Sequence, residues 1–279
     1  MTIRFDGRVA IVTGGGNGLG RHHALQLAQR GAKVVVNDLG GSVAGEGGSI
    51  SAAESVAEEI RKAGGEAISN GADITKLEQV EDMVAQAKAK WGRVDILINN
   101  AGILRDKTFA KMTMDDFKKV VDVHLFGTAN CTKAVWETMR EQNYGRIVMT
   151  SSASGIYGNF GQANYGAAKA AMVGFMNVLH HEGAKNNIRV NTLAPTAATR
   201  MLEGLIPEQV ADLMQPELVT PGVLYLVSEN APSKTILGAG AGCFSVVHIY
   251  ETPAVFLGGA NATVDDVAAN WEKISNPAG

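Results

Sequence analysis

Three side chains suited to proton transfer lie close together in the sequence: Ser152, Tyr165 and Lys169. Tyr165 and Lys169 are four residues apart in a stretch that is predicted to be helical from about Gln162 onward. Residues i and i+4 of a helix lie on the same face, so the phenol and the ammonium group are expected side by side. A nearby cation favours the phenolate, and the sequence therefore predicts a Tyr165 pKa below its usual value, as suits a general acid or base.

Ser152 follows an apolar run, residues 146–150, that predicts a buried parallel strand. Ligand sites of parallel α/β sheets lie at the carboxyl ends of their strands. The Ser152 hydroxyl could therefore hold a carbonyl oxygen beside the Tyr165 proton. The alternative is a tyrosine–lysine pair on an ordinary solvated helix face, because this spacing also occurs by chance.

A glycine-rich turn follows the first predicted strand, residues 8–13, and leads into a helical run. The turn contains Gly14, Asn17, Gly18, Leu19 and Gly20. Strand, glycine turn and helix in this order suit a pyrophosphate. Glycines let the backbone come close to the ligand, and the helix N-terminus presents free N–H groups and the positive end of its dipole.

Asp38 stands at the end of the second predicted strand, residues 33–37. A carboxylate about 20 residues beyond such a turn accepts hydrogen bonds from an adenosine ribose, and it would repel a 2′-phosphate. Asn17 occupies a position where an NADP site often carries a cation. The sequence therefore predicts NAD as the cofactor, with a turn-capping role for Asp38 as the alternative. Residues 39–49 predict a flexible loop beside the adenine end.

Two more predicted strands end in polar residues. Asp73 and Ile74 follow residues 67–70, and Asp73 could reach the adenine amino group. Residues 94–98 lead into the motif Asn99-Asn100-Ala101-Gly102. Because parallel strands end at one edge of the sheet, these residues are expected near the glycine turn.

Taken together, the motifs TGGGNGLG, Asp73, NNAG and YGAAK, with a serine before the tyrosine, resemble the short-chain dehydrogenase/reductase family over residues 8–242. The resemblance implies a Rossmann-type, doubly wound α/β fold, with a mainly parallel seven-stranded sheet and helices on both faces. It implies one catalytic domain over residues 1–279, with residues 243–279 as an extension. The implied reaction is hydride transfer between NAD and a secondary alcohol.

The resemblance also implies roles for individual residues. Tyr165 would take the hydroxyl proton, Ser152 would orient the oxygen, and Lys169 would hold the cofactor ribose. The nicotinamide half of the site would be formed by Asn99, Asn100, Ala101, Gly102, Pro195 and Thr196, and Thr199 would reach the phosphates. Most members of the family have Pro-Gly where this chain has Pro195-Thr196. Residues 201–215 are expected to cover the substrate pocket, with Leu202, Leu205, Ile206, Leu213 and Met214 as candidate lining.

His124 stands where most members of the family have an asparagine that binds a water linking the lysine to solvent. An imidazole can also bridge waters, so one hypothesis is a proton relay through His124, and the alternative is a packed helix histidine. The pairs His22-His23 and His180-His181 lack partnered carboxylates at useful spacing, and the sequence predicts no metal site.

A finer resemblance rests on NDLGG after the second strand, VHL around His124, the segment NTLAPTAATRM and a late ANWEKI. These resemble the dehydrogenase unit of peroxisomal multifunctional enzyme type 2 and its single-domain bacterial relatives. The implied substrate is a (3R)-3-hydroxyacyl-CoA. The alternatives are an NAD-dependent dehydrogenase of hydroxysteroids or of steroid side-chain CoA esters, and a non-catalytic dinucleotide sensor on the same scaffold.

Composition excludes several classes of protein. A chain of 279 residues with 46% hydrophobic residues can build a large core, and a net charge of −3 gives no footprint for nucleic acid. Cys131 and Cys243 are too few for a disulfide framework. With no signal-peptide pattern and no apolar window of about 18 residues, a cytoplasmic protein without a membrane span is expected. Apolar residues 244–257 predict an interface between subunits, with a tail that covers its own subunit as the alternative, and the family resemblance implies a homodimer or homotetramer.

Overall fold

The apolar runs of the sequence form a sheet that has eight strands in the described part of the chain. The computed structural model describes residues 2–197 and 212–277. The strands are β1 (Val9–Thr13), β2 (Lys33–Asn37), β3 (Ala67–Asn70), β4 (Ile96–Asn99), β5 (Gly145–Thr150), β6 (Ile188–Thr196), β7 (Ile236–Gly240) and β8 (Cys243–Val247). β1, β4 and β5 are buried along their whole length, which explains why their sequences are continuous apolar runs rather than alternating ones.

The strand order is β3-β2-β1-β4-β5-β6-β7-β8, and neighbouring strands from β3 to β7 run parallel. The chain builds outward from β1 to β3 and then returns to the middle, where β4 pairs with β1. Val12 lies opposite Ile98 in this pair. The strand order therefore reverses between β1 and β4, and ligands of doubly wound sheets bind at such a reversal.

Helices cover both faces of this sheet, as predicted. In the described part of the first 246 residues, the helices of eight residues or more are α1 (Gly18–Gln29), α2 (Ser51–Lys62), α3 (Leu77–Trp91), α4 (Met114–Val121), α5 (Gly127–Gln142) and α7 (Ala163–Gly183), and the shorter ones are α6 (Ala153–Tyr157) and α8 (Thr220–Leu226). Two short helices, α9 (Val264–Ala269) and α10 (Trp271–Ile274), belong to the last part of the chain. Residues of α1, α2 and α8 share one buried core with the sheet. α5 packs against β4 and β5, and α7 packs against β5 and β6. The Rossmann-type fold class is confirmed.

The sheet has one strand more than the seven predicted. Ala241 and Gly242, which connect β7 to β8, have φ angles of 50° and 73°. Positive φ at both central residues of a two-residue connection defines the hairpin turn whose twist suits antiparallel strands. Residues 243–247, which form β8, belong to the segment that was predicted as an extension of the domain. Most of β8 is exposed, as is usual for a strand at a sheet edge.

The long helical region that begins after Thr113 contains two α-helices, α4 and α5, joined by a different kind of helical turn. Thr113 does cap its start, because its hydroxyl accepts a hydrogen bond from the Asp116 N–H at 3.1 Å. Residues Asp122–Phe126 then form a π-helical turn before α5 begins. Such turns occur frequently at functional sites, and this one carries His124.

The structure divides into two compact units, Met1–Val246 and Val247–Gly279. In the second unit Thr263 and Asp266 form a capping box at the start of α9, and the Tyr250 hydroxyl donates to the Pro277 carbonyl at 2.7 Å. Several of its apolar side chains are exposed, among them Phe256 at 86%. The assignment of residues 1–279 to one domain stays a prediction.

Candidate active site

A cleft of about 710 Å³ opens within the first unit at the carboxyl ends of the central strands. Fifteen of the residues predicted for the site line it: Gly14, Asn17, Gly18, Leu19, Asp38, Asp73, Ile74, Asn100, Ala101, Gly102, His124, Ser152, Tyr165, Lys169 and Pro195. Thr196 lines it as well, whereas Gly20 and Asn99 are not among its lining residues. Thr199, Leu202, Leu205 and Ile206 fall outside the described residues. Residues from distant parts of the sequence thus share one cavity.

The glycine turn brings β1 and α1 against the end of β4. Gly14 has a φ of 62°, and a Cβ there would come within 2.8 Å of the Ala101 Cα atom. A Cβ at Gly20 would overlap the Gly14 carbonyl oxygen. Asn17 precedes α1 without a side-chain cap, and the first turn of the helix holds no acidic residue. Its N–H groups and dipole are therefore available to an anion.

The ends of β1 and β4 are tied together by Thr13 and Asn100. The Thr13 hydroxyl accepts hydrogen bonds from the N–H groups of Asn100 and Ala101, both at 3.1 Å. The Asn100 side-chain amide donates to the carbonyl oxygens of Thr13 and Gly14 at 3.1 and 3.0 Å. Asn100 therefore shapes the glycine turn. Thr13 was not among the residues predicted for the site, although its position at the end of a buried strand could have indicated it.

Asp38 is oriented by two backbone groups of the cleft wall. Its carboxylate oxygens accept hydrogen bonds from the N–H groups of Gly16 at 2.9 Å and Gly40 at 2.7 Å. Among the cleft-lining residues that the structure describes, the only cations are Lys119 and Lys169. The residues present fit a dinucleotide: close-packed glycines, an uncapped helix N-terminus and a fixed carboxylate.

Ser152 and Tyr165 both line the cleft and are joined by a hydrogen bond. Ser152 is the N-cap of α6, where its hydroxyl accepts a hydrogen bond from the Ser154 N–H at 3.2 Å. Burial raises the pKa of Tyr165 above its usual value, and a hydrogen bond with Ser152 only partly offsets this. The prediction of a lowered Tyr165 pKa is therefore wrong for the protein alone, because desolvation of the phenolate outweighs the effect of nearby groups.

Lys169 lies on α7 one turn beyond Tyr165 and is fully buried. Its ammonium group donates to the Thr150 carbonyl oxygen at 2.6 Å and lies 5.5 Å from the centre of the Tyr165 ring. Burial lowers the pKa of Lys169 to about 7. The i, i+4 spacing thus places the pair as predicted, and the sheet end supplies the lysine with its hydrogen-bond acceptor.

His124 is buried, and its ring meets the Tyr165 ring edge to face at 5.2 Å between centres. Its Nε2 atom lies 2.8 Å from the Ile103 carbonyl oxygen, and its Nδ1 atom is buried with no protein partner among the described residues. Burial and the charge of Lys169 hold the pKa of His124 well below its usual value. A Cβ at Gly102 would overlap the His124 ring, so the NNAG glycine makes room for the imidazole.

A doubly wound fold with Ser152, Tyr165 and Lys169 in one cleft defines an oxidoreductase that acts on a CH–OH group. The chain belongs to the short chain dehydrogenase family, whose model matches residues 8–209. Within the described residues no helix is long and apolar enough to cross a membrane, and no cluster of side chains could hold a metal ion.

Two named relatives show which members of the family this chain resembles. The chain is 47% identical over 275 residues to peroxisomal multifunctional enzyme type 2 of Mus musculus, an alignment that covers 98% of this chain and 37% of that protein. It is 44% identical to a putative short-chain type dehydrogenase/reductase of Mycobacterium tuberculosis, which covers 98% of this chain and 95% of the relative. The chain spans between 37% and 62% of the length of three peroxisomal multifunctional enzymes.

A solved structure adds a complex with ligands. A 7α-hydroxysteroid dehydrogenase complexed with NADH and 7-oxo glycochenodeoxycholic acid matches with a TM-score of 0.77 at 31% identity. The match covers 86% of this chain and 95% of that protein. The fold is therefore shared with a dehydrogenase whose structure contains NADH and 7-oxo glycochenodeoxycholic acid.

Proposed function

We propose that this protein is an NAD-dependent dehydrogenase that oxidises the secondary alcohol of a (3R)-3-hydroxyacyl-CoA to the ketone. The observation that carries the proposal is the placement of Ser152, Tyr165 and Lys169 in the same cleft as the Asp38 carboxylate. The acyl-CoA substrate is supported by the similarity to the peroxisomal multifunctional enzymes across almost the whole chain.

Each of these residues has its own role in the proposed reaction. When bound, NAD supplies the hydride acceptor, which is the chemistry that no side chain can provide. Ser152 holds the alcohol oxygen, and the Tyr165 phenolate takes the hydroxyl proton as the carbonyl forms. Lys169 holds the cofactor ribose, and its charge opposes the desolvation that keeps Tyr165 protonated. Asp38 accepts hydrogen bonds from the adenosine ribose.

Initial rates with a panel of substrates test the substrate class. The panel contains (3R)- and (3S)-3-hydroxyacyl-CoA thioesters of several chain lengths, hydroxysteroids and steroid side-chain CoA esters, each with NAD. The expected result is the highest kcat/KM for a (3R)-thioester. A higher kcat/KM for a steroid would favour the second candidate, an NAD-dependent hydroxysteroid dehydrogenase, which the similarity to the bile-acid complex supports. No turnover of any alcohol would leave only a dinucleotide sensor.

Cofactor preference follows from Asp38. NAD should be preferred over NADP by roughly a hundredfold or more in kcat/KM, because a 2′-phosphate would both repel the carboxylate and displace a buried hydrogen bond. Asp38→Asn keeps the shape and removes the charge, so this variant should lose most of the discrimination. Steady-state kinetics with both cofactors measure the ratio. Equal efficiency of the two cofactors in the wild type would contradict the assignment.

The relay hypothesis for His124 predicts a particular kinetic pattern. If the unpartnered Nδ1 atom carries a water that links Lys169 to solvent, His124→Ala should lower kcat by about tenfold or more, while NAD binding changes less. His124→Asn should restore much of the rate, because an amide can also bind a water. A folded His124→Ala protein with unchanged kcat would leave His124 a packing role against Gly102 and Tyr165.

The proposal also covers the type of ligand, the oligomeric state and the location of the protein. The substrate is a small molecule, with no role for nucleic acid. Assembly as a homodimer or homotetramer stays a prediction, and light scattering on the purified protein would test it. The cytoplasmic location also stays a prediction, because named relatives are peroxisomal.

A further inference from the structure

One wall of the cleft is the glycine-rich loop of residues 39–49, which the sequence predicted to be flexible. The structure shows a loop closed by its own hydrogen bonds. The Ser49 N–H donates to the Leu39 carbonyl oxygen and the Ser42 N–H donates to the Glu46 carbonyl oxygen, both at 2.8 Å. Val43 lies in the middle of this loop, which directly follows Asp38 in the chain, and both residues line the cleft. The loop therefore forms a wall at the adenosine end.

The tip of this loop is held from outside by the segment that follows the NNAG motif. The Leu104 N–H donates to the Val43 carbonyl oxygen, and the Arg105 Nε atom donates to the Ala44 carbonyl oxygen, both at 2.9 Å. A Cβ at Gly45 would come within 3.0 Å of the Ile103 side chain, so the glycine lets the loop tip pack against Ile103. Of the hydrogen bonds that this segment donates to Val43 and Ala44 in the described structure, the one from Arg105 is the only one made by a side chain.

Arg105 is itself fixed from a third direction. Its Nη1 atom donates to the Asp116 carboxylate on α4 at 2.9 Å, and its side chain is 24% exposed. Asp116 in turn accepts a hydrogen bond from the Thr113 hydroxyl at 2.8 Å. Glu46 lies 3.8 Å from Arg105 but is 76% exposed, and an exposed pair at this distance contributes little. The Ala44 carbonyl and Asp116 therefore define the position of Arg105.

The same segment reaches the catalytic helix. The Arg105 carbonyl oxygen accepts a hydrogen bond from the side-chain amide of Asn164 at 3.0 Å. Asn164 is fully buried, and its carbonyl oxygen accepts a hydrogen bond from the Tyr165 N–H at 2.7 Å. This chain of contacts uses the backbone of Arg105, so substitution of the side chain leaves it intact.

We propose that Arg105 is a positioning residue for the dinucleotide, which holds residues 42–46 as a preformed wall of the adenosine end and takes no part in hydride transfer. The proposal rests on the proposed function, because it assumes that the cleft binds a dinucleotide. A loop that must be ordered during binding costs conformational entropy, whereas a loop that is already held does not. Removing the Arg105 side chain should therefore weaken nucleotide binding and spare the chemical step.

Direct binding measurements test this on the purified protein. NADH and NADPH are titrated separately into wild type and Arg105→Ala, with dissociation constants from nucleotide fluorescence. The tighter-binding nucleotide should bind about tenfold more weakly to the variant, the equivalent of one lost charge-assisted hydrogen bond. The kcat at saturating nucleotide should stay within about twofold of the wild type. Hydrogen exchange of residues 42–46 in the nucleotide-free protein should become faster.

Arg61 provides a matched control away from the cleft. It also joins a carbonyl to a carboxylate, since it donates to the Ala67 carbonyl oxygen at 3.2 Å and to Glu54 at 2.6 Å. Arg61→Ala should leave the nucleotide dissociation constant unchanged. An equal loss of affinity in Arg61→Ala and Arg105→Ala would overturn the proposal, because it would show a general loss of stability.

A double-mutant cycle separates the loop from other effects of Arg105. The Ser42–Glu46 hydrogen bond closes the tip, so two glycines can replace residues 43–45. In that shortened background Arg105→Ala should cause no further loss of affinity. Additive losses, an unchanged dissociation constant in Arg105→Ala, or a fall in kcat without a change in binding would each overturn the proposal. Binding of neither nucleotide to the wild type would overturn it together with the proposed cofactor, whereas failure of the hydroxyacyl substrate alone would leave it standing.

Discussion

A Tyr165→Phe protein should bind NADH as tightly as the wild type and turn over at least about a thousandfold more slowly. The change removes one hydroxyl group from a half-buried ring and leaves the packing against His124 in place. General acid–base catalysis by a positioned side chain contributes about 10²–10⁴ to a rate. The other tyrosine among the described cleft-lining residues, Tyr157, is 75% exposed, so we expect that it does not compensate for the loss.

Single-turnover rates and NADH titration measure the two effects separately. Tyr225→Phe is the matched control, because it removes a hydroxyl from an exposed tyrosine on α8. The pH dependence gives a second test. Since burial raises the pKa of Tyr165, the phenol is protonated at neutral pH, and wild-type alcohol oxidation should become faster as the pH rises. Near-wild-type turnover in Tyr165→Phe would remove this residue from the mechanism.

The second large effect concerns Lys169, where activity and stability should change in opposite directions. Lys169→Met should reduce turnover about a thousandfold, because the variant lacks the cation beside Tyr165 and the ribose contact. The nucleotide-free variant should nevertheless be more stable than the wild type by about 2–4 kcal/mol near pH 7, because an apolar side chain replaces a desolvated ammonium group. The lost hydrogen bond to Thr150 reduces this gain slightly.

The pH dependence of that stability difference follows from the pKa of Lys169. Folding lowers it from 10.5 to about 7, so between these values the unfolded chain binds a proton that the folded protein does not. Wild-type stability therefore gains from this group as pH rises from about 7 toward 10.5. The advantage of Lys169→Met should be largest below pH 7 and should disappear toward pH 10.5.

Urea unfolding of the nucleotide-free proteins at several pH values measures this difference. Lys185→Met is the control, because Lys185 is exposed and its replacement should leave the stability curve unchanged. A Lys169→Met protein that is less stable than the wild type at neutral pH would show that the ammonium group is well solvated or paired in the folded state.

Local sequence determined much of this protein. The fold class followed from buried apolar runs that alternate with helical segments, because the spacing of apolar residues along the sequence differs between strands and helices. The glycine turn was predictable because strand, glycine run and helix follow one another in the sequence, and the structure shows that a Cβ at Gly14 or Gly20 would not fit. The pairing of Tyr165 with Lys169 was predictable because helical spacing fixes which side chains are neighbours.

Only the tertiary structure decided how these groups are solvated and held. The pKa of Tyr165 is raised because the phenol is desolvated by elements distant in sequence, a quantity that the spacing to Lys169 does not encode. The glycine-rich loop looked flexible by composition, yet Arg105 holds it through a contact 61 residues away in sequence. Burial and long-range hydrogen bonds depend on which surfaces meet when the chain folds, and local sequence pattern specifies neither.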